Sequence, residues 1–335
     1  MQSTISRLYR SVVGIVAIIA IVLTAAATPA AAEKIDYRLK WLINASTAGD
    51  VVADRQGYFA AEGLDVAVKA GGPERDAIRE LELGYAQFGV ASADQVIRAA
   101  AKGASVVVLA QLFQINPLQW IYRANDFTLN RVQDLAGKTV GITYGGNDET
   151  IMRALLASAG MDATQVKLAS VRYDYTPFFR KQVVVWPVYR NTQGIYLADK
   201  LATGGERAAF FDPSRHGVRF VANSVVTSQK MIEDHPQTVA RFTRALLAGW
   251  RAAMDPAKAD AVLRDLAAYD KDTTAAEMRR QLAATREMVH PDAAVPLGHI
   301  DRAAWQQTET IMRRQGLIAG AVNVVDRLRP LPAAP

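Results

Sequence analysis

The sequence predicts an α/β fold, short apolar strands alternating with amphipathic helices to give mostly parallel sheets flanked by helices. Three observations carry this. Residues 37–68 read strand, polar loop, helix, strand, with Gly57 stopping the helix and Gly63 turning the chain into the second strand. The same alternation continues from 75 to 123. Finally, 335 residues, 50% hydrophobic and 21% charged, give length for about two domains with sizeable cores.

Composition removes several function classes. The chain contains no cysteine, which excludes disulfides, thiolate catalysis, Cys-ligated zinc and a lipid-modified amino-terminal Cys. Residues 1–32 have the grammar of a cleavable export leader: Arg7 and Arg10, an apolar run over 12–23 broken only by Gly14, then Ala30, Ala31 and Ala32 before Glu33. The run is short against the roughly 20 residues of a membrane span, so a periplasmic protein beginning near Glu33 is expected. Loss of Arg7 and Arg10, with no acidic residue, takes the formal charge from +6 to +4. No block of five Lys/Arg occurs, and a nucleic-acid partner is not expected.

The remaining elements follow in order. A short helix over 75–83 ends at Gly84, strand 87–91 leads to helix 96–102, and a β-branched strand covers 106–112 before strand 118–123. A polar stretch over 123–132 marks a composition shift. Strand 139–143, the loop Y-G-G-N-D-E at 144–149, helix 150–158 and strand 166–171 come next. The segment 178–193, F-F-R-K-Q-V-V-V-W-P-V-Y-R-N-T-Q, contains a further strand, and 218–226 reads as a strand returning to the first half. The tail is helical. Val239, Phe242, Leu246 and Trp250 share one face between Pro236 and Pro256, and helices over 257–268, 274–289 and 301–315 follow.

Ligands of open α/β sheets sit beyond strand carboxyl ends. Trp41, Asn44, Tyr144, Trp186 and Tyr189 fall there. Singly, each aromatic is more often a core residue; at strand ends in both halves, they suggest an aromatic-walled cleft. The loop at 144–149 is no phosphate loop, because Asp148 and Glu149 occupy the first turn of a helix, satisfy its dipole and compete with an anion. His216, His235, His290 and His299 show no metal-ligand spacing, so no metal or cofactor is expected.

Several runs resemble a known family. Trp41, Asn44 and Gly49 precede G-Y-F at 57–59 and E-G-L-D-V at 62–66. Gly84, Phe88, Gly89, Ser92, Asp94 and Gln95 follow the pattern G-x-x-D-F-G-x-x-S-A-D-Q, with Gln87 in place of the Asp. D-L-A-G-K-T-V-G at 134–141 is similar to the passage that opens a second lobe, and W-P-V-Y at 186–189 to a signature in which Lys181 here replaces a Gly and Val184 an Asp. Together these resemble the NMT1/THI5-like solute-binding proteins of ABC importers for nitrate, sulfonates, riboflavin and thiamine-pyrimidine precursors.

The resemblance implies a type II-like, two-lobed periplasmic binding protein with its cleft between lobes. The first lobe would span 34–122, the second 123–221, and 222–329 would return to the first. It implies a monomer, a small-molecule solute and an inner-membrane permease as partners, with no cofactor. Carried onto this chain, the ligand set is Trp41, Asn44, Ser92, Asp94, Asn116, Tyr144, Asn147, Asp148, Glu149, Trp186, Tyr189 and Arg190. Aromatics with Asn44, Asp94, Asp148 and Glu149 suit a flat, donor-bearing heterocycle, a pyrimidine precursor or a flavin-like ring. A nitrate or sulfonate binder is the alternative, although only Arg190 is an obvious cation for it, and an exported enzyme on the same scaffold is another. The family's enzyme branch carries N-T-N-H and a Cys-rich motif; here Thr47 stands where that His belongs and no Cys exists.

Overall fold

The computed structural model describes residues 31–72, 75–172 and 174–330; the expected leader lies outside them as far as residue 30. β1 (Glu33–Arg38) buries Ile35 and Tyr37 on alternate positions. It stops short of the expected 42 because the chain turns away, with Leu39 N–H donating to Lys69 O and Gly71 N–H to Trp41 O. α1 (Ala48–Arg55), α2 (Tyr58–Ala61) and β2 (Leu64–Lys69) complete the opening unit. α3 (Ala77–Glu82), β3 (Phe88–Ala91), α4 (Ala93–Ala101) and β4 (Val106–Gln111) follow.

β5 (Leu118–Arg123) begins a second sheet, which continues through β6 (Thr139–Ile142), α5 (Asn147–Ser158), β7 (Lys167–Ser170) and α6 (Thr176–Phe179). β8 (Val185–Tyr189), α7 (Gln193–Thr203) and β9 (Ala208–Phe211) close it. The chain then returns through β10 (Ser224–Ser228), α8 (Gln229–Asp234), α9 (Pro236–Met254), α10 (Ala259–Leu266), α11 (Ala275–Val289) and α12 (Arg302–Arg314).

Two five-stranded sheets result, ordered β2-β1-β3-β10-β4 and β7-β6-β8-β5-β9. Each is mixed, where the sequence suggests mostly parallel pairing. β1 runs parallel to β3, and β6 parallel to β7 and β8. β10 is antiparallel to β3 and β4, and β5 antiparallel to β8 and β9. The reversed strand in each sheet is the first one after the chain arrives from the other sheet. It enters from the cleft side, where the parallel strands end, and therefore runs against them.

The crossings also differ from the expected boundaries. β5 is hydrogen-bonded between β8 and β9, so the strand expected to close the first lobe belongs to the second sheet, and the outward crossing is 112–117. The return crossing is 212–223; its residues 218–223 were expected to be strand but pass between the sheets before β10 starts. α7, not expected from the sequence, buries Gly194, Leu197 and Leu201.

α9 lies across the first sheet. Its Phe242 stacks on Phe88 at 3.7 Å and on Phe59 at 5.2 Å, and meets Tyr37 edge-on at 5.1 Å. The helix comes close to α1 because glycines face it from both sides: a Cβ on Gly49 would lie 2.1 Å from the Trp250 ring, and one on Gly249 2.6 Å from Ala53 Cα. In the second sheet, alternation along β5 sends Trp120 and Tyr122 to one apolar cluster and Ile121 to another with Phe178, Trp186 and Val188.

Candidate functional site

The carboxyl ends of β1, β3 and β4 and the amino end of β10 point at the loop that follows β8. There, residues from both sheets line a pocket of about 60 Å³: Lys40, Trp41 and Asn44 after β1, Asp50 on α1, Tyr189 ending β8, and Asn223 just before β10. Thr192 and Gln193 line the same pocket, over a floor that includes Val90 and Leu112.

Contacts between the two sides hold it shut. Lys40 Nζ donates to Tyr189 Oη at 3.0 Å. Asn191 Nδ2, fully buried, donates to Ser46 Oγ and Thr285 Oγ1, each at 2.9 Å. Arg280 pairs with Asp199 at the rim, one bond being 3.0 Å. Burial works against the charge on Lys40, yet its pKa stands above the usual lysine value because the Tyr189 oxygen and the Asp94 carboxylate attract the ammonium.

Asp50 is 1% exposed. Burial pushes its carboxyl up to about 7, even though Tyr37 Oη donates to Asp50 Oδ1 at 2.5 Å and favours the ionised form. Tyr37 in turn is raised well above its ordinary value, by burial first and by the adjacent carboxylate second. Asn223 is 7% exposed, and its Oδ1 has no hydrogen-bond partner among the described residues.

Of the residues expected from the sequence, Trp41, Asn44 and Tyr189 meet at this pocket. Asn44 also shapes its own loop, its Oδ1 accepting from Ser46 N–H at 2.8 Å. Ser92 and Asp94 are buried beneath, the Ser92 hydroxyl donating to Asp94 Oδ1 at 2.6 Å, and Asp94 reaches the pocket only through its field on Lys40.

The others lie elsewhere. Asn116 ties the two crossings together, donating to Phe220 O at 2.8 Å and accepting from Leu118 N–H at 2.9 Å. In the loop before α5, Asp148 accepts from Thr143 N–H and Glu149 from Gly145 N–H, both at 2.7 Å, and Glu149 also pairs with Arg153. These carboxylates serve the helix start, and neither they nor Asn147 lines the pocket. Tyr144 is 56% exposed beside them. Arg190 stacks its guanidinium 5.8 Å from the Phe210 ring centre. Trp186 is 1% exposed, packed with Tyr175 and Phe178 on the sheet face away from Tyr189; strand alternation puts positions 186 and 189 on opposite faces. Its expected place in the cleft is therefore corrected to the core.

Lys40, Asp50, Thr192, Gln193 and Asn223 escape the sequence reading. Asp50 carries a signal that could have found it, a lone acid inside the small and apolar run A-G-D-V-V-A. Asn223 interrupts the apolar return segment in the same way.

A second cavity, about 310 Å³, lies against the crossings. Its polar groups are already matched: Gln111 Oε1 accepts from Asp301 N–H and from Trp305 Nε1, and Arg219 pairs with Asp301. That pattern is structural. Among the described residues no cluster of three His, Cys, Asp or Glu could hold a metal.

Two mixed α/β sheets joined by two crossings, with a pocket walled from both, make the two-lobed fold of periplasmic binding proteins. The chain belongs to the NMT1/THI5-like family, whose pattern residues 44–259 match. It is 26% identical over 329 residues to the riboflavin-binding protein RibY of Chloroflexus aurantiacus, spanning 90% of this chain and 89% of that one. The formylaminopyrimidine-binding protein of Halalkalibacterium halodurans is 28% identical over 66% of each chain. A shorter match, 25% over 45% of this chain and 48% of the other, is to a 4-amino-5-hydroxymethyl-2-methylpyrimidine phosphate synthase of Legionella pneumophila. In fold, the periplasmic aliphatic sulphonate binding protein SsuA of Escherichia coli superposes with a TM-score of 0.69 at 16% identity, over 90% of this chain and 95% of SsuA.

Proposed function

We propose that this chain is the exported solute-binding component of an ABC importer, capturing a small heteroaromatic solute by closure of its lobes and presenting it to an inner-membrane permease. One observation carries the reading: a pocket built from both sheets, flanked by Trp41 and bridged by the Lys40–Tyr189 hydrogen bond. A site whose walls belong to different lobes is completed only when they close, which is how a binding protein reports occupancy. The relatives named for riboflavin and formylaminopyrimidine support a heteroaromatic solute. The leader-like start and the periplasmic relatives in fold support export. No helix among the described residues is long and apolar enough to cross a membrane.

A thermal-shift screen of formylaminopyrimidine, riboflavin, thiamine, alkanesulfonates and nitrate tests this. A solute at 100 times its dissociation constant adds about 2.7 kcal/mol, and a shift with a pyrimidine is expected. Lys40 favours a second reading, an alkanesulfonate binder, because it puts a cation in the cleft; a shift with sulfonates alone selects it. Turnover of a bound pyrimidine would replace transport by an enzyme.

A further inference from the structure

The pocket is unusual in what it leaves unmatched. Lys40 is its cation, and that ammonium is engaged by Tyr189 and drawn toward Asp94. Arg190, next to Tyr189 in the chain, does not line the pocket and rests on Phe210. Against these stand two buried acceptors from the first-lobe side of the pocket: the Asp50 carboxyl near the start of α1, which already accepts from Tyr37 Oη, and Asn223 just before β10, whose Oδ1 has no hydrogen-bond partner among the described residues. A buried acceptor gains when a donor is brought to it, so a solute N–H directed at Asn223 Oδ1 is favoured. An oxyanion brings no such donor, and it would face the Asp50 carboxyl as well.

We infer that Asp50 and Asn223 are the specificity-determining pair of this pocket, accepting N–H donors from one edge of a small planar solute and rejecting oxyanions. This rests on the proposed solute-binding role and names the chemistry of the same site. The matching edge is amidine-like, a ring nitrogen beside an exocyclic amino group. The ring nitrogen of such an edge is unprotonated in the free solute; on binding, the Asp50 carboxyl passes its proton to that nitrogen, and the carboxylate left behind accepts the new N–H while Asn223 Oδ1 accepts from the amino group. Trp41 flanks the ring, and the Lys40–Tyr189 bridge closes over it. Asn223 also lies on the return crossing, where its backbone carbonyl accepts from Leu112 N–H at 3.0 Å and Phe113 N–H at 3.3 Å. Donation to its side chain thus bears on the segment that must move when the lobes close.

Isothermal titration with formylaminopyrimidine and ethanesulfonate, on wild type and on Asp50→Asn, Asn223→Leu and Asn223→Asp, tests the pair. Formylaminopyrimidine should bind wild type and ethanesulfonate should not. Asp50→Asn, which keeps an acceptor but removes the carboxyl that supplies the proton, and Asn223→Leu, which removes the acceptor, should each weaken the pyrimidine at least tenfold, while Asn223→Asp, which keeps the acceptor needed at that position, stays within about threefold. Thermal melts establish that each variant is folded. Retained pyrimidine affinity in Asp50→Asn or Asn223→Leu overturns the inference, as does an equal loss in Asn223→Asp, which would mark Asn223 as a hinge residue only. Binding of ethanesulfonate alone overturns it but leaves a solute-binding protein; binding of neither probe overturns both readings.

Discussion

Burial of Asp50 against Tyr37 makes the stability of the ligand-free protein depend on pH. Its folded pKa, about 7, lies above the roughly 3.9 of an unfolded Asp, so the folded state holds the proton more tightly. The associated stabilisation is complete below about pH 4 and is lost as pH rises through about 7. About three pKa units correspond to about 4 kcal/mol. Asp50→Asn should therefore gain on wild type progressively between pH 4 and 8 in denaturant unfolding; a difference that is flat with pH would refute this. Trp186 makes the opposite kind of residue-scale case. Because it fills the core between Tyr175 and Phe178, Trp186→Ala should cost about 3–5 kcal/mol of stability and leave the affinity of the folded protein nearly unchanged. Tenfold weaker binding with an unaltered melt would return Trp186 to the cleft.

At the scale of elements, the turn from α6 into β8 stores strain. Lys181 sits there at φ 58°, the left-handed region that costs a side-chain-bearing residue about 1–2 kcal/mol, and it is the position where the family pattern has Gly. Its ammonium pairs with Asp126 and Glu206 at the surface, which offsets little of that cost. Lys181→Gly should raise stability by about 0.5–1 kcal/mol, and a fall in the unfolding midpoint would show that the ion pairs outweigh the strain. The α1–α9 contact behaves differently. Gly249→Ala improves helix propensity by about 1 kcal/mol but drives a methyl into Ala53. Net loss of about 1–3 kcal/mol is expected, measurable by urea titration.

For the whole molecule, the question is what holds the lobes together. Asn191 crosses from the loop after β8 to Ser46 and Thr285, and its Oδ1 has no partner among the described residues. Lys40–Tyr189 and Arg280–Asp199 add to it. Asn191→Ala removes both buried donations, so the ligand-free protein should populate an open form. Solution scattering should give a larger radius of gyration for the variant than for wild type, with solute affinity reduced; equal radii would mean that apolar packing at the crossings, which includes Leu118, Phe220 and Val221, sets the geometry alone.

The sequence by itself determined the α/β class, the order of most elements and three of the residues that meet at the pocket between the sheets. Those follow from local periodicity and from glycine and proline punctuation, which act over a few residues. Tyr189 ends β8, and Trp41 and Asn44 lie in the loop that follows β1, so all three were legible from strand-and-loop punctuation. Only the tertiary structure decided which sheet β5 joins, since apolar residues at 118–123 suit either sheet until hydrogen-bond partners exist. It also decided the fate of Trp186, because W-P-V-Y places two aromatics three positions apart and the strand sends them to opposite faces. The pocket's charge was decided there too. Asp50 looks like a helix-start acid and Asn223 like a turn residue, and their meeting with Lys40 joins positions 40, 50 and 223, a separation that no local pattern encodes.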